Sequence, residues 1–258
     1  WLWSIMAFAL AVFIVLSIYE PVTICCIELR AISMLDRLTK APEPTIEEIA
    51  EVTRLEEEAK KKAEKPKYDL SKPQTFLFVG DSMLEGLSPR LAAYAKENNH
   101  KLFTVIWYSS SSKMWATSGN LEKYIAQFKP TYIFLCLGAN ELFIKNIAEL
   151  REKYVKSIVE KLGDIPFVWI GPPNKQKDTG INDLLKKNVP SDKFFLTKGM
   201  KFSYFEDQIH PTRASAVVWM DSVVRWMPSH SKHPIKLDIP TVAKAKADVQ
   251  VIVPRNKD

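Results

Sequence analysis

From residue 75 onward, short unbroken apolar runs alternate with longer stretches in which apolar positions recur every three or four residues. Phe76-Leu77-Phe78-Val79 carries no polar interruption, as a strand buried on both faces of a parallel sheet requires. Runs of the same kind stand at residues 102–107, 132–137, 167–170 and 193–196. Helical spacing fills residues 84–98, 121–128, 148–162, 181–187 and 213–227, with Gly163 closing one of these stretches. Strand and helix alternating through short connections predict an α/β fold, a three-layer α/β/α sandwich around a roughly five-stranded parallel sheet. Residues 249–253 offer one further edge strand.

The pattern changes on either side of this body. Residues 1–19 are almost wholly apolar, long enough to cross a bilayer core of about 30 Å, and the apolar character resumes over 21–29 after Glu20. No small-residue cleavage site marks a removable leader, so residues 1–29 are expected to be an N-terminal transmembrane helix serving as a single-pass anchor. Arg30, Arg37 and Lys40 taken alone argue for a cytoplasmic side after the span, which conflicts with the extracytoplasmic location that the resemblance below implies. Residues 30–73 are a charged stalk and linker: Pro42 and Pro44 break the chain, Thr45-Ile46-Glu47-Glu48 opens a helix, and Glu, Lys and Ala dominate to Lys65. A domain over 74–228 follows, and the Lys- and Pro-rich tail, 229–258, is expected to be extended or disordered.

Composition narrows the function classes. With 47% hydrophobic and 26% charged residues the chain has material for one sizeable core. The net charge is +6, but Lys residues are dispersed or mixed with Glu, so a nucleic-acid surface is not expected. Three cysteines make no disulfide framework; Cys136 falls in an apolar run and is expected to be buried. No Cys/His cluster has zinc spacing, His230 and His233 sit in the polar tail, and no cofactor is called for.

Candidate chemistry gathers where strands end. Gly80-Asp81-Ser82 follows the first strand, at the edge where open α/β sheets place ligands. Ser82 reads either as a nucleophile beside a helix N-terminus or as a plain helix cap. Of four histidines only His210 has a carboxylate at useful spacing in the domain: in Asp207-Gln208-Ile209-His210-Pro211 one turn brings both side chains to the same side. Asp207 can then hold Nδ1 and leave Nε2 to a serine, although local capping explains the same spacing. Asn140 follows the third strand, as an oxyanion donor or as a left-handed turn residue. Trp107, Tyr108 and Trp115 suit either the core or a sugar-stacking wall.

Residues 75–227 resemble the SGNH, or GDSL-type, family of serine esterases and acyltransferases. Gly80-Asp81-Ser82 matches its first block, Gly138-Ala139-Asn140 its third and Asp207-x-x-His210 its last. The resemblance implies that Ser82 is the nucleophile, His210 the general base and acid, and Asp207 its orienting carboxylate. Asn140 and the Ser82 amide are then oxyanion donors. The family's second block supplies a glycine amide; here that position falls within Ser109–Ser112, at Ser111 on an ungapped count, with Gly119 as fallback. In the third block Glu141 stands where an Asp is usual. An anchored domain of this kind resembles the envelope-polysaccharide O-acetyltransferases and acetylesterases, implying an acetylated glycan as substrate and a multi-spanning O-acyltransferase as partner. An anchored carboxylesterase and a non-catalytic assembly module remain open.

Overall fold

The structure, a computed structural model, describes residues 69–253, together with Met6, Val22–Ile24, Ile27–Leu29, Glu51 and Arg54. The chain divides into two compact units, Trp1–Lys65 and Pro66–Asp258. In the first, Val22–Ile24 and Ile27–Leu29 pair antiparallel, with Ile24 opposite Ile27. This corrects the helical anchor over that part of 1–29: Val22, Thr23, Ile24 and Ile27 are β-branched and favour extended chain. The rest of the anchor and nearly all the predicted stalk helix lie outside the described residues. Among the described residues no helix is long and apolar enough to cross a membrane.

The second unit holds the α/β body. Its strands are β1 (Thr75–Gly80), β2 (Lys101–Ile106), β3 (Tyr132–Cys136), β4 (Phe167–Ile170), β5 (Phe194–Phe195) and β6 (Asp248–Val251). Its helices are α1 (Leu84–Glu97), α2 (Ser112–Thr117), α3 (Asn120–Phe128), α4 (Ile147–Leu162), α5 (Ile181–Asn188) and α6 (Arg213–His230). The strands form one six-stranded sheet in the order β5-β4-β3-β1-β2-β6, every pairing parallel.

Alternation along the strands builds two cores. Leu77, Val79, Ile133, Leu135, Phe167 and Trp169 face one helical layer, where Leu121, Val155, Ile158 and Leu185 meet them. Phe76, Phe78, Tyr132, Phe134, Val168 and Ile170 face the other, against Leu87 and Leu91 of α1 and Trp219 and Val223 of α6. Both faces of the central strands are therefore apolar, which is why their sequences read as continuous runs.

The tail departs from expectation. It is extended but attached: β6 pairs with β2, the Ala245 N–H donates to the Pro89 carbonyl at 2.9 Å, and Ile235 is buried. The Arg90 guanidinium, held by Asp221 at 2.6 Å, also donates to the Val242 carbonyl at 2.8 Å. The edge strand offered by residues 249–253 thus forms as the sixth strand, over Asp248–Val251, while the attachment of the rest of the tail is invisible to a search for periodicity. Helix α6 likewise passes Pro228 to end at His230, whose ring stacks on Trp226 at 5.3 Å.

One close approach fixes the sheet's carboxyl edge. Gly80 is level with Ile106 on one side and Cys136 on the other. A Cβ on Gly80 would lie 2.3 Å from the Cys136 carbonyl oxygen and 2.4 Å from Leu84 Cδ1. Gly80→Ala is therefore expected to destabilise the domain by about 2–3 kcal/mol through forced backbone movement, read as a lower urea midpoint. An unchanged midpoint would mean that the strands part without cost.

Candidate active site

The edge defined by Gly80 carries three loop tips. Asp81 and Ser82 follow β1, residues 137–140 follow β3, and residues 107–111 follow β2. β1 lies between β2 and β3, so the chain leaves the centre of the sheet in both directions there, which opens a crevice at the carboxyl ends.

Ser82 stands one residue before the α1 N-cap, Met83, which has no side-chain cap bond; the capping reading of Ser82 therefore falls. The Asp81 carboxylate shapes this turn, its Oδ1 accepting from the Met83 N–H at 3.0 Å. The half-buried Ser82 hydroxyl lies 2.8 Å from His210 Nε2. His210 Nδ1 lies 2.6 Å from Asp207 Oδ2. Asp207 Oδ1 accepts from the N–H groups of Ile209 at 2.8 Å and His210 at 3.0 Å. Asp207 is thus a local turn former and an orienting group at once. Its bond from the His210 side chain, then the two N–H bonds, hold its carboxyl down at about 2, ionised throughout the neutral range. Thr212, not His210, caps α6. Among the other histidines, His100 Nδ1 accepts from the Gln74 N–H at the opposite, amino end of β1.

Asn140 sits on the same edge, in a one-turn 3₁₀ helix after β3. The positive φ in this turn, 119°, belongs to Gly138, so the left-handed reading of Asn140 falls. Its exposed amide donates to the Ser110 carbonyl at 3.0 Å and makes a longer contact to Asp81 Oδ2 at 3.4 Å. In the second block the neighbouring N–H groups are taken: Ser110 donates to the Trp107 carbonyl, and Ser112 to Glu141 Oε2 at 2.9 Å. The Ser82 and Ser111 N–H groups have no acceptor among the described residues, as a donor to an incoming oxyanion requires. Gly119, the fallback, is the left-handed N-cap of α3.

Two features were not read from the sequence, and one open reading is decided. Glu141 is fully buried, accepting from the Ser112 hydroxyl at 2.8 Å and from Arg151 Nε at 2.7 Å as well as from the Ser112 N–H. It ties the second block to the third, so the departure from the family pattern has its own anchoring network. Trp107 and Trp115 are buried edge-to-face at 5.6 Å and belong to the core, while Tyr108 is exposed and hydrogen-bonds Glu85. Finally, Ser82, Glu85, Phe205, His210 and Arg213 line one cavity of about 140 Å³. Arg213 had no signal in the sequence, since a lone arginine at a helix start has no motif.

No protein-family model matches the chain, and no curated protein matches it by sequence. Among solved structures it is similar to the psychrotrophic esterase EstA from Pseudoalteromonas sp., at 15% identity and TM-score 0.44, over 60% of this chain and 99% of that one. It is also similar to a lipase/acylhydrolase from Enterococcus faecalis, at 14% identity and TM-score 0.49, over 66% and 100%. A two-domain esterase active on acetylated mannans matches at 10% identity and TM-score 0.48, over 80% of this chain and 57% of that one. The chemistry of the site follows from its own side chains.

Asp81 makes the site pH-sensitive. Burial pushes its carboxyl from 3.8 up to about 7, against the opposing bond from the Met83 N–H. Because the folded value lies above the unfolded one, the stabilising contribution is fully present below about pH 4 and lost as pH rises through about 7. Asp81→Asn removes this dependence: its stability relative to wild type should climb between pH 4 and 7 by on the order of 3 kcal/mol, then level off. Urea unfolding across that range checks it, and a constant difference would refute a buried neutral carboxyl.

Proposed function

We propose that this chain is a serine-dependent acyl-ester enzyme of the SGNH type, acting through a covalent acyl-enzyme. The observation that carries the reading is the continuous relay Ser82 Oγ–His210 Nε2–His210 Nδ1–Asp207 Oδ2, with links of 2.8 and 2.6 Å. His210 takes the Ser82 proton as Oγ attacks the ester carbonyl, and the negative charge develops on the carbonyl oxygen. The Ser82 and Ser111 N–H groups meet that charge, and the Asn140 amide joins them by exchanging its long 3.4 Å contact to Asp81 for the oxyanion, each donor contributing about 10²–10³ in rate. His210 then protonates the departing alkoxide. Water, deprotonated by the same imidazole, attacks the acyl-enzyme, the carboxylic acid leaves, and the proton returns to Ser82.

The cavity of about 140 Å³ at Ser82 supports a short acyl group such as acetyl. Exposure of Asp207 and part of His210 supports water as the acceptor, hence removal of O-acetyl groups. The second reading is transfer of acetyl to a sugar hydroxyl on an envelope polysaccharide. It is favoured by the apolar residues 1–19, which would tether an extracytoplasmic domain beside a multi-spanning acyl supplier.

Rapid-quench intact-mass analysis with an activated acetyl ester tests the reading. One acetyl group is expected on Ser82, Ser82→Ala should abolish both the adduct and at least about 10³ of the turnover, and added oligosaccharide should divert acetyl only if transfer operates. Undiminished turnover by Ser82→Ala would remove Ser82 as the nucleophile, and absence of turnover and adduct in the wild type would leave only an α/β module that recruits partners.

A further inference from the structure

Arg213 is the first residue of α6, where the helix dipole is positive and a cation is unfavourable. No acidic residue stands in the first turn, and the cap, Thr212, is neutral. Among the described residues no carboxylate pairs with Arg213. The nearby acids are engaged: Asp207 holds His210, and Glu85 accepts from the Tyr108 hydroxyl. Its side chain nonetheless lines the cavity that contains Ser82 and His210. It also lines the adjoining cleft, of about 210 Å³, which Gly86 shares with the first and which Lys244 lines together with Arg90, itself paired with Asp221. Lys244 is held there by its neighbour, since the Ala245 N–H donates to the Pro89 carbonyl. Arg213 and Lys244, neither paired with a carboxylate among the described residues, thus flank a small cleft beside the nucleophile, Arg213 at a position that costs helix stability.

We propose that Arg213 binds an anionic group on the alcohol portion of the substrate, so that the ester attacked by Ser82 is carried by an acidic carbohydrate. This rests on the esterase reading above and narrows it. The ester carbonyl enters the cavity at Ser82, and the sugar bearing it lies in the adjoining cleft against Gly86, Pro89, Ala214 and Val217. A planar guanidinium matches a carboxylate with two parallel N–H···O bonds, a fit that lysine reproduces only as a point charge. At about 210 Å³ the cleft has room for one sugar unit. Arg213 is a specificity residue here and takes no part in the proton relay.

The test compares acetate release from O-acetylated trigalacturonate with release from the equally acetylated, neutral trigalactoside, using the full chain, Arg213→Gln, Arg213→Lys and, as a control on the same helix, Arg225→Gln. Wild type and Arg225→Gln should prefer the acidic substrate by about five- to tenfold at low salt, less as salt rises. Arg213→Gln should lose the preference, Arg213→Lys should keep part of it, and the thermal midpoint of Arg213→Gln should not fall. Equal rates on both substrates for wild type, or a preference retained by Arg213→Gln, overturns the proposal. Calorimetric binding of unacetylated trigalacturonate reads the same contact without turnover. Binding that depends on Arg213 without acetate release sinks the esterase reading alone; indiscriminate release sinks the arginine assignment alone. Tighter, Arg213-dependent capture by phosphatidylglycerol vesicles would put a lipid in place of the sugar.

Discussion

The register that sets Gly80 level with Cys136, with no room between them for a side chain, is the constraint on which the site depends. It brings the ends of β1 and β3 out at one height, and the matching level of Ile106 does the same for β2. Ser82, Asn140 and the Ser109–Ser112 loop therefore emerge together without any of them having to reach. A one-residue slip would carry the hydroxyl away from the imidazole that α6 presents, and would turn every strand residue to the wrong core.

Around that edge the protein buries two carboxylates and treats them differently. Glu141 has a guanidinium and a hydroxyl within 2.8 Å and joins two loops through a compensated charge. Asp81 has one good N–H donor and a long contact to Asn140, and burial raises its carboxyl to about 7. The outer acid, Asp207, is exposed and held ionised by the groups it orients. Charge is thus kept at the base of the histidine and limited beneath the serine, beside the N–H groups of Ser82 and Ser111, which have no acceptor among the described residues.

Much of this was legible from residue pattern. Strands buried on both faces announce themselves as unbroken apolar runs, and helix ends at Gly163 and before Pro130 fall near their signals. Ser82, Asp207, His210 and Asn140 could be placed on one edge because each follows a strand or precedes a helix. Helix α2 was missed because its six residues are too few to show a period. The edge strand offered at 249–253 is β6, shifted by one or two residues, whereas the attachment of the rest of the tail depends on backbone bonds such as Ala245 to Pro89, which leave no trace in side-chain hydrophobicity. Trp107 and Trp115 look alike as core or as sugar platform until packing decides. The role of Glu141 rests on Arg151, ten residues away and one turn into another helix.

The claim at the centre is that Ser82, His210 and Asp207 act as a unit. Ser82→Ala, His210→Ala, Asp207→Ala and the triple variant, assayed for kcat on an activated acetyl ester, test it directly. The account predicts that loss of Ser82 or His210 alone costs about as much as loss of all three, with Asp207 somewhat less. Separate losses that multiply to give the triple variant would contradict it, showing three independent residues where the geometry places one relay.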